Sequence, residues 1–464
     1  MGCSVFAETD ISGKLDTNLG TYFPWSEGGA DLSAAEVCVR PSIDSYWGSH
    51  SLFINGSIVF DALGTRNSRN VYGDTTGTPW LGTRLNEAYY DYNGGWWAFR
   101  AGRQIVQWGA ADNFTVTNVI CPDDKTRLSG NDISDSKLGI DAFRFSVNSN
   151  YIIADAYWVP RFTPAELPLA KNNPLYRKIV PQNADLTKAG LGVLKINDFS
   201  CNDLTAPKFS LKNGEYGLRV SSFFSFADFS LYGFYGWDDD PFIGYDVETV
   251  PDVMNYEAAP GVFIPVPYNR PASIRLSGNY KRFGMIGADS SIPVGPVTVR
   301  LEGAFYPQRY FARSAESQMT QIFDYYKSSR KTEGADVTRT ERHNQAAGVI
   351  GIDWMAGDLT VSAQYYADYV FGDVKNLERE NLNQQISFNL SFSALDGNLE
   401  AGISGIVEFP SFDSAIIPSV SYSVSDELTV KASAMLFNRG VKDTGSYSRY
   451  KDLSSFNLGL SYSF

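Results

Sequence analysis

The chain has 464 residues and carries 39 lysines and arginines against 52 aspartates and glutamates, a formal net charge of −13. That balance excludes nucleic acid as the natural partner, because phosphate recognition needs a basic surface. The mean hydropathy is −0.21, and no run of about 18 apolar residues occurs to form a helical membrane span. The aromatic content of 14%, mostly Tyr and Phe, suits strands that face lipid. What remains is a soluble β protein or a closed barrel, the one β architecture that satisfies every backbone group in lipid.

At the start, Val5, Phe6 and Ala7 before Glu8 resemble a small-residue cleavage site, so residues 1–7 read as a signal-peptide remnant. The rival reading makes Cys3 a lipidation site. Residues 8–464 read as one domain.

From there the hydrophobic period is two almost throughout. Strands are expected at 9–20, 34–43, 50–62, 85–93, 95–104, 138–147, 150–159, 214–225, 228–238, 273–282, 296–308, 345–356, 358–371, 383–394, 397–408, 414–424, 427–438 and 454–464. Val297, Val299, Leu301 and Phe305 alternate with Thr298, Arg300, Glu302 and Tyr306. Leu428, Val430, Ala432 and Leu436 alternate with Thr429, Lys431 and Ser433 in the same way.

Connections after even-numbered strands are mostly tight turns, and those after odd-numbered strands are mostly long, such as 105–137, 160–213, 239–272 and 309–344. A Greek-key sandwich would not segregate its loops in this manner. The fold class expected is therefore all-β, a transmembrane antiparallel up-and-down barrel of about 18 strands (16 being the alternative), with short periplasmic and long extracellular connections. It would lie in a bacterial outer membrane. Within the loops, residues 312–331 lack Gly and Pro and place Met319, Ile322, Phe323 and Tyr326 at helical spacing. They predict a short helix, either a lid over the pore or a helix packed on its own loop.

The last strand presents Phe456, Leu458, Leu460, Tyr462 and Phe464 on one face. That row looks like the signal by which the barrel-assembly machinery recognises its clients. Gly102-Arg103-Gln104, Trp108-Gly109 and Pro122-Asp123, with Trp158–Pro164 and Glu215–Arg219 further on, resemble a bacterial outer-membrane barrel family. That family is catalogued as a domain of unknown function and is distantly similar to the alginate-export porins. The resemblance implies a barrel more firmly than any substrate.

Arg103 falls on the face of Trp97, Phe99 and Ala101, where a charge in mid-bilayer would cost about 2–4 kcal/mol. The fifth strand is thus expected to end or bulge near Gly102. The Gly109-Ala110-Ala111 stretch either folds inward to narrow the pore, with Arg103, Gln104 and Asp112 beside it, or merely closes the extracellular end. Arg100, Arg219, Arg275, Arg300, Glu302 and Asp368 are further candidates for the pore lining. An acidic excess on the inward faces points to a mild cation preference.

Residues 160–213 are basic and 238–257 acidic; the two could pair across the pore mouth or the acidic one bind calcium, but neither matches a calcium-loop spacing, so solvated loops are the default. Cys121 and Cys201 are a possible disulfide pair. The four cysteines show no metal-ligand spacing, and no cofactor fingerprint is present. His343 beside Glu341 and Arg342 is a thin basis for catalysis, so no enzyme is expected. The function expected is a porin-like channel for passive diffusion of small hydrophilic solutes, in contact with outer-membrane lipid. The alternative is a surface-exposed binding or adhesion barrel with a plugged lumen.

Overall fold

The computed structural model describes residues 8–25, 31–67, 78–128, 136–187, 192–329, 335–441 and 445–464. The signal remnant expected at residues 1–7 lies outside them.

The strands, in chain order, are β1 (Glu8–Tyr22), β2 (Leu32–Trp47), β3 (His50–Asp61), β4 (Leu81–Asn93), β5 (Trp97–Gln104), β6 (Ile140–Asn148), β7 (Ile152–Val159), β8 (Asn183–Leu186), β9 (Gly192–Ile196), β10 (Leu204–Thr205), β11 (Glu215–Phe223) and β12 (Asp228–Trp237). They continue with β13 (Phe242–Ala259), β14 (Val262–Asn279), β15 (Arg282–Val294), β16 (Val297–Ala312), β17 (Thr340–Ala356), β18 (Leu359–Val370), β19 (Leu382–Ala394), β20 (Leu399–Phe409), β21 (Ser414–Ser423), β22 (Leu428–Asn438) and β23 (Ser455–Ser463).

Eighteen of these strands form one antiparallel sheet that closes on itself where β1 pairs β23, with Leu15 opposite Tyr462 and Leu19 opposite Leu458. Closure leaves the wall no free edge, the condition for a strand-built span in lipid. The alternation expected from sequence is realised as two faces. Leu231, Tyr235, Ile286, Ile350, Ile352, Leu458 and Leu460 are exposed on the outside, an apolar belt far too continuous for a protein in water. At its periplasmic margin Trp96, Tyr151, Phe224 and Phe226 are exposed around the short turns, as an interfacial aromatic girdle requires. Among the described residues no helix is long and apolar enough to cross a membrane.

One strand expected from the sequence is misplaced. Residues 273–282 fall mostly in β14, which belongs to a separate five-stranded sheet with β8, β9, β10 and β13. The tenth wall strand is β15, which follows it and pairs β12 and β16. The small sheet has its own apolar core, in which Ile274 and Leu276 of β14 pack with Val247, Leu194, Ile196 and Tyr176. The expected helix forms as Ala315–Ser329. Its Met319 and Ile322 join that core, and Gln318 donates to the Ile243 carbonyl at 3.1 Å. The basic and acidic loop segments meet through an Ala165 N–H bond to the Asp239 carbonyl at 3.1 Å and an Asn197–Glu248 hydrogen bond of 2.7 Å, a link made by backbone and amide groups.

Candidate functional site

Gly102 has φ +129°, and a Cβ there would come within 2.2 Å of the Ala88 carbonyl oxygen. Only glycine fits this kink, and β5 ends two residues later at Gln104. Arg103 escapes lipid by pairing with Asp141 at 2.9 Å and donating to the Leu85 carbonyl. The strand therefore does break where the sequence demanded it, and the chain turns into the lumen.

The segment 105–121 folds inward as a compact loop. Its core is Trp108, Val116, Ile120 and Cys121 against Tyr157, Tyr232 and Phe234 of the wall. Trp108 meets Tyr157 edge-on at 5.8 Å and lies 5.3 Å from Tyr232. Two inward-facing glycines make room for it. A Cβ on Gly217 would meet the Trp108 ring at 2.8 Å, and one on Gly287 would meet Thr117 Cγ2 at 2.5 Å. Within the loop, the Val106 amide donates to Cys121 Sγ at 3.2 Å and the Trp108 amide to Asn118 Oδ1 at 3.1 Å.

The wall completes the loop's hydrogen bonds strand by strand. Ile105 N–H donates to Glu87 of β4 and Gly109 N–H to the Tyr232 hydroxyl of β12. Glu302 of β16 accepts from Ala111 N–H at 3.2 Å, Val116 N–H at 2.6 Å, Thr117 N–H at 2.7 Å and the Thr117 hydroxyl at 2.8 Å. Tyr306 donates to the Val116 carbonyl. Gln364 of β18 accepts from Asn113 and Phe114 N–H, and the Asn113 amide donates to Ser387 Oγ of β19 at 3.2 Å. In the ring of 18 strands β5 and β19 stand opposite each other. The loop thus fills the half of the lumen between them.

The other half is bounded by β20–β23 and β1–β4. Ser404 of β20, Ser419 and Ser421 of β21, Ser433 of β22 and Asn457 of β23 share the inward face by register, giving a wall of small hydroxyl and amide groups. Facing it from the loop is Asp112, whose side chain is 58% exposed and lies 3.7 Å from Arg300. Arg300 also bonds Asp353 and the Ala110 carbonyl.

On the extracellular side of this passage lies a cavity of about 850 Å³. Arg40, Arg66, Arg84, Arg103, Arg127 and Arg161 line it, together with Asp124 and Glu166. Arg84 bridges Asp124 at 2.8 Å and Glu166 at 2.6 Å, which ties the distal part of the inward loop to the wall and to the 160–166 segment.

Of the residues singled out in sequence, Arg100 faces inward but is held by Asp91 at 2.7 Å over the Tyr89 ring. Arg219 faces inward beside Ser221 and Tyr232. Gln104, Glu302 and Asp368 point inward yet are only 1%, 6% and 3% exposed. The loop covers Glu302, while Asp368 is enclosed by Arg379, Gln345 and Tyr366. They shape the passage from beneath its surface. Arg275 sits on β14 in the extracellular sheet, 4.0 Å from Glu248, and is absent from the barrel wall. Cys121 and Cys201 are free thiols, so the possible Cys121–Cys201 pair is not formed. Cys121 is sealed in the loop core, and burial pushes its thiol up to about 12, whereas Cys201 lines the outer cavity. Trp108, Tyr232 and Gln364 anchor the loop, a role that the sequence pattern does not mark. Gly109 after Trp108 was the available signal.

No family model matches the chain, and no curated protein does. Solved structures do. OccAB4 of Acinetobacter baumannii aligns with a TM-score of 0.52 at 8% identity, covering 99% of both chains. OccK8 (OprE) of Pseudomonas aeruginosa aligns at 0.51 with 9% identity and 98% of both. OccAB1 of A. baumannii aligns at 0.50 with 9% identity, covering 99% of this chain and 96% of that one. The fold is that of the bacterial outer-membrane porins, and the outer membrane is its location.

Proposed function

We propose that the chain is a channel through which small hydrophilic solutes diffuse passively across the outer membrane. The observation that carries this reading is the one-sided seating of residues 105–121. The loop is anchored from β4 round to β19, and it faces a wall of serine and asparagine side chains across the remaining passage. Asp112 and the acidic inward residues near the periplasmic end support a mild cation preference. The Glu302 and Asp368 carboxylates lie under cover and add little to it. The outward row Phe456, Leu458, Leu460 and Tyr462 of β23, with Phe464 just after it, is exposed and fits recognition by the barrel-assembly machinery.

A second reading has one observation behind it. The β13–β14 hairpin exposes Val253, Met254, Tyr256, Phe263 and Ile264 at its far end, as a binding barrel with a plugged lumen would. Single-channel recording of the refolded, heat-modifiable protein in planar bilayers separates the two. Stable conductance steps support the channel, and silence from folded protein supports the plugged barrel.

A further inference from the structure

The fixed charge of the passage changes sign along its axis. The outer cavity is lined by six arginines and Lys208 against Asp124 and Glu166. Several of those arginines are matched by carboxylates, Arg66 and Arg127 by Glu36 and Arg84 by Asp124 and Glu166. Arg161 and Lys208 are exposed and have no carboxylate partner among the described residues, so the cavity keeps a positive excess.

At the other end, Asp10 of β1 stands opposite Asp44 of β2 on the inward face, Asp228 opens β12, and Glu400 lies near the start of β20. Asp10, Asp228 and Glu400 are exposed. None of the four pairs with a cation among the described residues; Lys431 lies in the Glu400 row opposite Ser421, and Arg300 in the Asp228 row opposite Ser291, where it is already bonded to Asp353. Arg161 follows β7, while Asp228, opposite Phe223, lies one residue beyond the Ile152–Ser222–Phe229 layer at the other end of that strand. At ~3.3 Å per residue the spacing is about 25 Å along the eight residues of β7 and about 13 Å along β2, from Arg40 of the cavity to Asp44 of the rim, so the two zones stand about 13–25 Å apart along the strands. That exceeds the Debye length of about 10 Å at 0.1 M salt, so each zone acts on ions separately.

We propose that this channel rectifies, passing anions inward and cations outward more readily than the reverse. The inference rests on the open-channel reading above. When the periplasmic side is positive, cations enter through the acidic rim and anions through the basic cavity. Each carrier enters where it is the counter-ion, both accumulate between the zones, and conductance is high. With the polarity reversed each carrier must first cross a zone of its own sign, the junction empties of ions, and conductance falls.

The test is the current–voltage curve of single channels in KCl. Orientation is fixed by adding an impermeant charged thiol reagent to one side of a Cys3→Ser protein, in which Cys201 is the cysteine among the described residues that is open to it. At 0.1 M the current with the periplasmic side positive should exceed that at the opposite polarity about twofold, and the ratio should approach 1 at 1 M, where the Debye length is about 3 Å. Arg161→Gln with Lys208→Gln, and separately Asp10→Asn with Glu400→Gln, should each straighten the curve. A linear curve at 0.1 M from a conducting channel would overturn the inference alone. So would rectification unchanged in both double variants. Folded protein without any current would instead overturn the channel reading itself.

Discussion

Glu302 and Thr117 form the latch of the passage: one carboxylate oxygen accepts both the backbone N–H and the hydroxyl of Thr117, at 2.7 and 2.8 Å, and Val116 N–H at 2.6 Å. These donors lie on a loop 185 positions earlier in the chain. The loop lacks regular structure here, so its amides need acceptors from the wall, and a carboxylate can accept several at once.

Glu302→Gln keeps the volume but turns one acceptor oxygen into a donor facing N–H groups. Leaving a buried donor unsatisfied costs about 1–3 kcal/mol, so the loop should detach before the wall does. The expected outcome is a barrel that stays heat-modifiable, with larger and noisier conductance steps and earlier proteolysis near residue 113. Unchanged conductance would mean that the loop does not set the bore.

Gly109→Ala should give the same phenotype by a different route. Gly109 has φ +93°, and its Cβ would lie 2.5 Å from Glu302 Oε2. The conformation alone costs an L residue about 1–3 kcal/mol, and the contact displaces the latch. If both substitutions act on one latch, the double variant should resemble either single one in conductance, which single-channel recording checks.

How much of this was legible in the sequence follows from what a period of two can say. The wall was readable because an inward–outward alternation is dictated by lipid on one side and water on the other. β14 alternates just as well: Ile274 and Leu276 are buried while Arg275 and Ser277 are less so. Alternation carries no sign of whether the apolar face meets lipid or the core of an extracellular sheet, and Arg275 was placed in the pore for that reason. β15, with Gly284, Gly287, Asp289, Ser290 and Ser291, is too rich in small and polar residues to stand out as a membrane strand. The break at Gly102 was visible because Arg103 could not face lipid. Glu302 was visible as inward-facing, but its partners came from a loop remote in sequence, which no local pattern reveals.

Cysteine chemistry checks the placement of the loop. Cys121 is buried, and its raised thiol pKa keeps it protonated at neutral pH. Cys201 lines the outer cavity. In the folded Cys3→Ser protein a maleimide should therefore label Cys201 and spare the buried Cys38 and Cys121, and adding Cys201→Ser should abolish most labelling. Peptide mapping by mass spectrometry reads this directly. Rapid labelling of Cys121 would place the loop outside the lumen.

Asp112 is the loop's charged contribution to the passage, and its pH dependence has a definite sign. Partial burial raises its pKa above the ordinary carboxylate value; Arg300 lowers it and Asp353 raises it further, with burial the largest effect. The folded loop thus holds the Asp112 proton more tightly than the unfolded chain does. Stability from this group is full below the unfolded pKa and is lost as pH rises through the higher folded one. For permeation the consequence is opposite in sense: acidification neutralises Asp112 before it neutralises an unperturbed aspartate. The cation-to-anion permeability ratio, read from reversal potentials in a KCl gradient, should therefore begin to fall at a pH above the range set by the usual aspartate value of about 3.9. Asp112→Asn should lower the ratio at neutral pH and remove this early part of the titration. A ratio that titrates identically in both proteins would place the selecting charge elsewhere, at the acidic periplasmic rim.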